Sequence, residues 1–333
     1  MPAAAHSDDN ACLPGKSPVR RVALGVLAMA VVALVGSVLL PRVLDPWAPL
    51  SSDESVDADL AGYFPASDEQ PLAKPLGIAI VGSRVYIAES GAGRVAIFTA
   101  GGKRTGEIVL RGAEGGAAAA PIAVEAAGSR KVAILDATSG SVLVYSTPFL
   151  WMKPRLLLTI GEADARTAPQ RATAVAYSED EYYVADAGSG SVRVYDAEGT
   201  FVREIASGLE PPIGYAGDMV VDGERLVIAD SGSDRVVSVS LKTDGDVVVF
   251  PDAYALPRGV CSAEGGVAVG AVLGAAVYVC EADGLRTHVI DADTMADWPP
   301  SSPEGVAWHG AMNRLYVTEP DYGRVVIFNV RME

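Results

Sequence analysis

The chain has 333 residues, half of them apolar, with 35 Gly, 21 Pro and a formal net charge of −16 at pH 7. That length suits one large domain or two ordinary ones. The acidic balance argues against nucleic acid as a partner, because binding a polyphosphate needs a basic footprint, and it favours solubility of the exposed surface.

Residues 1–21 are polar and end in Lys16, Arg20 and Arg21. Val22–Leu40, VALGVLAMAVVALVGSVLL, carries no charge. As a helix it would extend roughly 28 Å, close to the thickness of a bilayer core. A cleaved signal peptide is the competing reading, but its apolar region usually runs about 7–15 residues and ends at a small-x-small site. Here the run is longer and passes through Val-Leu-Leu directly into Pro41 and Arg42. An uncleaved anchor is the favoured reading. Because a basic flank stays inside, 1–21 is expected to be a cytoplasmic tail and 22–40 a single transmembrane helix. Everything after Arg42 is then extracytoplasmic and the protein resides in the cell membrane. Residues 41–70, rich in Asp, Ser and Pro, read as a linker or stalk.

Next comes YIAESGAGRVAIF (Tyr86–Phe98), which holds Gly91-x-Gly93-x-x-Ala96. A dinucleotide-binding fingerprint at this spacing needs a helix to follow, whose N-terminus receives the pyrophosphate. The residues that follow, Arg94-Val-Ala-Ile-Phe98, are β-branched and aromatic and end at Thr-Ala-Gly-Gly, so they read as a second strand and the glycines as a hairpin turn.

The same stretch recurs along the chain. Echoes are VAILDATSGSVLVY (Val132–Tyr145), YYVADAGSGSVRVY (Tyr182–Tyr195), LVIADSGSDRVVSV (Leu226–Val239), LYVTEPDYGRVVIF (Leu315–Phe328) and a degenerate VAVGAVLGAAVYVC (Val267–Cys280) with Gly270 in place of the acid. The acids are Glu89, Asp136, Asp186, Asp230 and Glu319, and five residues beyond them stand Arg94, Ser141, Ser191, Arg235 and Arg324. A short apolar run precedes each hairpin: LGIAIV, PIAVEA, TAVAYS, GDMVVD, RGVCSA and EGVAWH. A fourth run follows the first five: GEIVL, RLLLTI, FVREI, DVVVF and LRTHVI. Copies roughly 40 to 50 residues apart, each of about four strands, indicate a β-propeller. A β-sandwich fits less well, since sandwiches do not repeat a turn motif. The expected fold is therefore all-β, a six-bladed β-propeller over 71–333 with four antiparallel strands per blade.

The pattern P-x-G-I-A followed by V-Y-V-A-D-x-x-x-x-R-V-x-V-F resembles the NHL repeat, over residues 75–329. The match is specific in copies one, four and six. Copies two and three lack the arginine, and copy five lacks the acid. The resemblance implies a platform that binds a protein, peptide or glycan. Other six-bladed propellers are lyases or lactonases with a site at the channel mouth, which is the alternative. A structural subunit of a membrane complex is a third.

A short carboxylate where strand two ends can accept turn N–H groups, and Arg94, Arg235 and Arg324 can pair with it across the hairpin. The five acids thus read as turn clamps rather than ligands. Copy six lacks a fourth strand, and an open edge would leave backbone groups unpaired. Residues 57–65, with DLAGYF, are expected to supply it. Cys261 and Cys280, outside the cytoplasm unlike Cys12, fall on the first and third strands of blade five. Strands two apart are about 10 Å distant, too far for a disulfide unless the blade distorts.

No cofactor or metal is expected. The three Asn (Asn10, Asn313, Asn329) and three His (His6, His288, His309) do not make a ligand set, and no catalytic arrangement is readable. His309, at the end of an inner strand, alone could approach the channel. The starts of the inner strands should line its mouth: Leu76, Pro121, Thr173, Asp218, Arg258 and Glu304. Asp218, Arg258 and Glu304, on consecutive blades, with Thr173 beside them, are the expected ligand-recognition site.

Overall fold

A computed structural model describes residues 57–66, 68–110, 117–148, 152–161, 164, 166–243, 245–252, 254–291 and 302–331. The expected tail (1–21), membrane helix (22–40) and first part of the stalk lie outside the described residues. Among the described residues no helix is long and apolar enough to cross a membrane.

The described chain forms six antiparallel four-stranded sheets. Blade one holds β2 (Pro75–Val81), β3 (Arg84–Glu89), β4 (Arg94–Thr99) and β5 (Arg104–Val109). Blade two holds β6 (Pro121–Ala126), β7 (Lys131–Asp136), β8 (Ser141–Ser146) and β9 (Leu156–Thr159). Blade three holds β10 (Ala172–Ser178), β11 (Glu181–Asp186), β12 (Ser191–Tyr195) and β13 (Phe201–Ile205). Blade four holds β14 (Ala216–Asp222), β15 (Arg225–Asp230), β16 (Arg235–Ser240) and β17 (Val247–Val249). Blade five holds β18 (Pro257–Ala263), β19 (Gly266–Ala271), β20 (Ala276–Glu281) and β21 (Arg286–Ile290). Blade six holds β22 (Val306–His309), β23 (Arg314–Glu319), β24 (Arg324–Arg331) and, at its outer edge, β1 (Asp57–Phe64).

The inner strands β2, β6, β10, β14, β18 and β22 contact one another in that order, and β22 contacts β2. The ring is closed by burial. Each of six apolar clusters bridges two neighbouring blades, as in Val95, Ile97, Val132 and Ile134 between blades one and two, or Phe64, Phe98, Tyr316 and Ile327 between blades six and one. A second strand such as β7, buried on both faces, is accordingly a continuous apolar run rather than an alternating one.

β1 pairs antiparallel with β24, from Asp57↔Arg331 to Phe64↔Val325. The fourth strand of blade six therefore comes from the opposite end of the chain, and no edge of β24 stays open. The register has a further consequence. Phe64 ends beside the β23–β24 turn, on the face where the inner strands begin. Asp57 starts on the opposite face.

The Gly91/Gly93 stretch is the β3–β4 hairpin. Gly93 has φ +63°, which a turn requires and an L side chain resists. Gly305 answers to a different demand. A Cβ there would lie 2.4 Å from the Leu76 carbonyl oxygen of the next blade, so glycine permits the inner strands of blades six and one to approach.

Candidate functional site: the channel mouth

The five hairpin acids all lie buried. Arg94 Nε donates to Glu89 at 2.6 Å, Arg235 Nε to Asp230 at 2.9 Å and Arg324 Nε to Glu319 at 2.6 Å. In blade three Ser191 does not pair with the acid. It hydrogen-bonds to Glu204, and Arg193 donates to Asp186 at 2.9 Å. Asp136 has no arginine and accepts instead from Thr138 N, Ser139 N and Ser139 Oγ.

Three acids also reach back to the loop before the inner strand of their own blade. Glu89 accepts from Ala73 N at 3.0 Å and Asp136 from Ala120 N at 2.6 Å, while Asp186 accepts from Gln170 N and Arg171 N at 3.0 and 2.8 Å. Burial works to raise the Asp186 carboxyl, but the backbone donors and Arg193 outweigh it and hold the group below its ordinary value. Through this bond Asp186 fixes the residues immediately before Thr173.

At the start of each inner strand of blades one to five the register slips. Such a bulge re-aims a side chain, and the slipped residues include Ile122, Thr173, Gly217 and Arg258. They surround a cavity on the ring axis lined by Leu76, Ile122, Thr173, Tyr215, Gly217, Asp218, Arg258 and Glu304, among others. Ile122 stands where Pro121 was expected, because the bulge turns the next residue inward. Gly217, not Asp218, is the register mate of Arg258, and Asp218 lies one residue further along β14. Thr173, Asp218, Arg258 and Glu304 nevertheless line one cavity. The centre of a water-sized sphere has only about 20 Å³ there, room for a water or one slender group.

Arg258 Nε donates to Glu304 at 2.8 Å, and its guanidinium lies 5.1 Å from the Tyr215 ring centroid. Asp218 accepts from Met219 N at 2.9 Å and Val260 N at 3.2 Å. Burial pushes its carboxyl up to about 7, against those two donors and Arg258. Thr173 is 3% exposed and its Oγ1 has no hydrogen-bond partner.

Deeper along the inner strands lie Glu125 and Cys261, each two residues beyond the Asp218 level. Burial raises the Glu125 carboxyl well above its usual range, and the Asp218 charge adds to it. Burial likewise raises the Cys261 thiol, again with Asp218 adding. The sequence gives little sign of Glu125, a lone acid in an apolar run, or of Tyr215, which precedes its strand. Arg193 was readable: it lies two residues past Ser191, on the same face of β12.

Cys261 and Cys280 are free thiols. They pair with adjacent residues of β19, Ala268 and Val267, from its two sides, and Cys280 Sγ lies 3.3 Å from the Tyr254 hydroxyl. His309 ends β22 at the end remote from Glu304. Among the described residues no three His, Cys, Asp or Glu are grouped to hold a metal ion.

These features define a six-bladed β-propeller with a narrow axial mouth. No family model matches the chain, and no curated protein matches it. Among solved structures it resembles a streptogramin B lyase, with TM-score 0.59 and 11% identity over 82% of this chain and 98% of the other. A Bacteroides thetaiotaomicron protein of unknown function gives TM-score 0.60 and 12% identity over 82% and 73%. A chain of a nidogen/laminin complex gives 0.52 and 15% over 71% and 85%. At such identities the likeness is one of fold, shared by proteins named as an enzyme and as part of a complex.

Proposed function

We propose that this protein is a membrane-anchored, extracytoplasmic propeller of the NHL type that binds a protein, peptide or glycan partner at the channel mouth. Its anchor is residues 22–40, and it works alone or as a subunit of a membrane complex. The observation that carries the reading is the mouth itself. A buried, unpartnered hydroxyl of Thr173 and a fixed guanidinium of Arg258 converge on a space too small for a whole substrate ring but open to the tip of a partner. Rigid groups held in a narrow, low-dielectric funnel orient a polar tip without having to reorganise. The anchor is supported by the uncharged run and by the basic residues before it. The described chain enters the ring at Asp57, on the face away from the mouth.

Gln170 is exposed on the rim, and Ser83 is exposed in the β2–β3 turn on the opposite face. A photo-crosslinking residue at Gln170 should form an adduct with a partner in intact membranes, while the same residue at Ser83 should not. Adducts at Ser83 alone would move the partner to the other face and refute the reading.

A further inference from the structure

We propose that the mouth binds a single carboxylate group, the slender tip of an extended ligand, through Arg258, Thr173 and Tyr215. This rests on the mouth being a binding site. The argument is a count of what is already used. The Glu304 carboxylate is taken by Arg258 Nε at 2.8 Å, and both Asp218 oxygens accept backbone N–H groups, at 2.9 and 3.2 Å. Each carboxylate of the mouth is therefore already held by at least one donor. What is left over are donors: the Thr173 hydroxyl, which has no partner, the Tyr215 O–H hydrogen, whose oxygen takes a bond from Arg258, and the N–H groups of Arg258 that neither Glu304 nor Tyr215 occupies. A buried hydroxyl without a partner is costly, and an incoming acceptor oxygen relieves it. Guanidinium favours carboxylate over a neutral carbonyl because the bonds are charge-assisted and can be paired. The cavity, with about 20 Å³ for the centre of a water-sized sphere, admits a carboxylate but not a ring.

Below about pH 6 Asp218 does not repel such a ligand, and the Glu304 carboxylate is paired with Arg258. The groups facing Asp218 are Arg258 and Cys261 on β18, Glu125 on β6, and Tyr215 and Glu304 at the rim. Burial opposes the charged form of Arg258 but pairing with Glu304 outweighs it, while burial favours the thiol of Cys261 and the protonated carboxyl of Glu125. Asp218 is the group that changes state near pH 7. A bound carboxylate raises it further, so binding takes up a proton. Affinity should be flat below about pH 6 and fall by up to about tenfold per pH unit above 7.

The test uses the full chain in mild detergent, read by NMR of the Thr173 methyl and Arg258 Nε. The probes are N-acetyl-triglycine, its C-terminal amide, acetate and ethylammonium. The acid should shift both signals, and the amide should bind at least tenfold more weakly. R258Q should weaken the acid by roughly 10- to 100-fold, as loss of a charged hydrogen bond does. T173V should weaken it severalfold without harming the fold, since Thr173 Oγ1 bonds to nothing inside the protein. Acetate binding as tightly as the tripeptide would mean a free small acid is the source. A tighter tripeptide would mean a chain terminus. Equal binding of amide and acid, binding of ethylammonium only, indifference to both variants, or no binding of any probe would overturn the proposal. In that event a rim adduct at Gln170 would still leave the platform reading standing.

Discussion

Asp218→Asn isolates the buried acid at the mouth. Burial moves this carboxyl from 3.8 to about 7. A displacement of about three pH units at about 1.4 kcal/mol each gives an upper limit near 4 kcal/mol by which ionising Asp218 opposes the fold. Part of the side chain meets channel water, so we take about 2 kcal/mol. The sign follows from proton binding. Below pH 4 both native and unfolded chains hold the proton and the group is silent. Between about pH 4 and 7 the unfolded chain releases it first, so stability falls as pH rises, and above 7 the loss is complete. Asparagine has no charge to bury, but its amide can satisfy only one of the N–H groups of Met219 and Val260, a loss of about 1 kcal/mol. The variant should thus be about 1 kcal/mol less stable than the parent at pH 4 and about 1 kcal/mol more stable at pH 8. Denaturant unfolding of both proteins across that range measures it. Parallel pH profiles, with no crossing, would refute the burial argument.

A soluble chain beginning at Gln70 should be at least about 3 kcal/mol less stable than one beginning at Leu44. It lacks β1 and with it Phe64, which is buried with its ring 4.8 Å from that of Phe98; equal unfolding midpoints would mean that β24 is closed in another way. Gly305→Ala should destabilise by about 1–3 kcal/mol, because the new methyl meets the Leu76 backbone at 2.4 Å, and an unchanged melting temperature would show that the blades can slide apart freely. Arg193→Ala should lower stability by about 1–3 kcal/mol above pH 4, where Asp186 is ionised in both states, and the difference should shrink on acidification as Asp186 gains its proton. A defect independent of pH would assign the loss to packing rather than to the ion pair.

The blades were legible because the same hairpin recurs with an acid at its first corner, and because the strands that flank it are buried on both faces and therefore apolar throughout. The ring order then follows from chain order. The mouth was legible only to within a residue. The inner strands of blades one to five slip register at their first turn, and a pattern of apolar residues carries no mark of a bulge. Pro121 and Asp218 were placed one position away from the slipped residues for that reason. The arginine of blade three was missed because a fixed offset of five from the acid was sought, whereas the residue two further along the same strand faces the same way. Glu125 was missed because a single glutamate within a buried strand looks like a solvated one until a neighbouring carboxylate is placed beside it in space.

The central claim, an extracytoplasmic propeller with an occupied mouth, is tested most directly by labelling single cysteines at Gln170 and Ser83 with a membrane-impermeant maleimide. With Cys12 replaced by Ser, background should be low, since Cys280 is buried and Cys261 only partly exposed. In intact cells Ser83→Cys should label and Gln170→Cys should be protected by the partner. After purification both should label equally. Failure of both to label in intact cells would contradict the extracytoplasmic placement. Equal labelling of both before and after purification would contradict an occupied mouth.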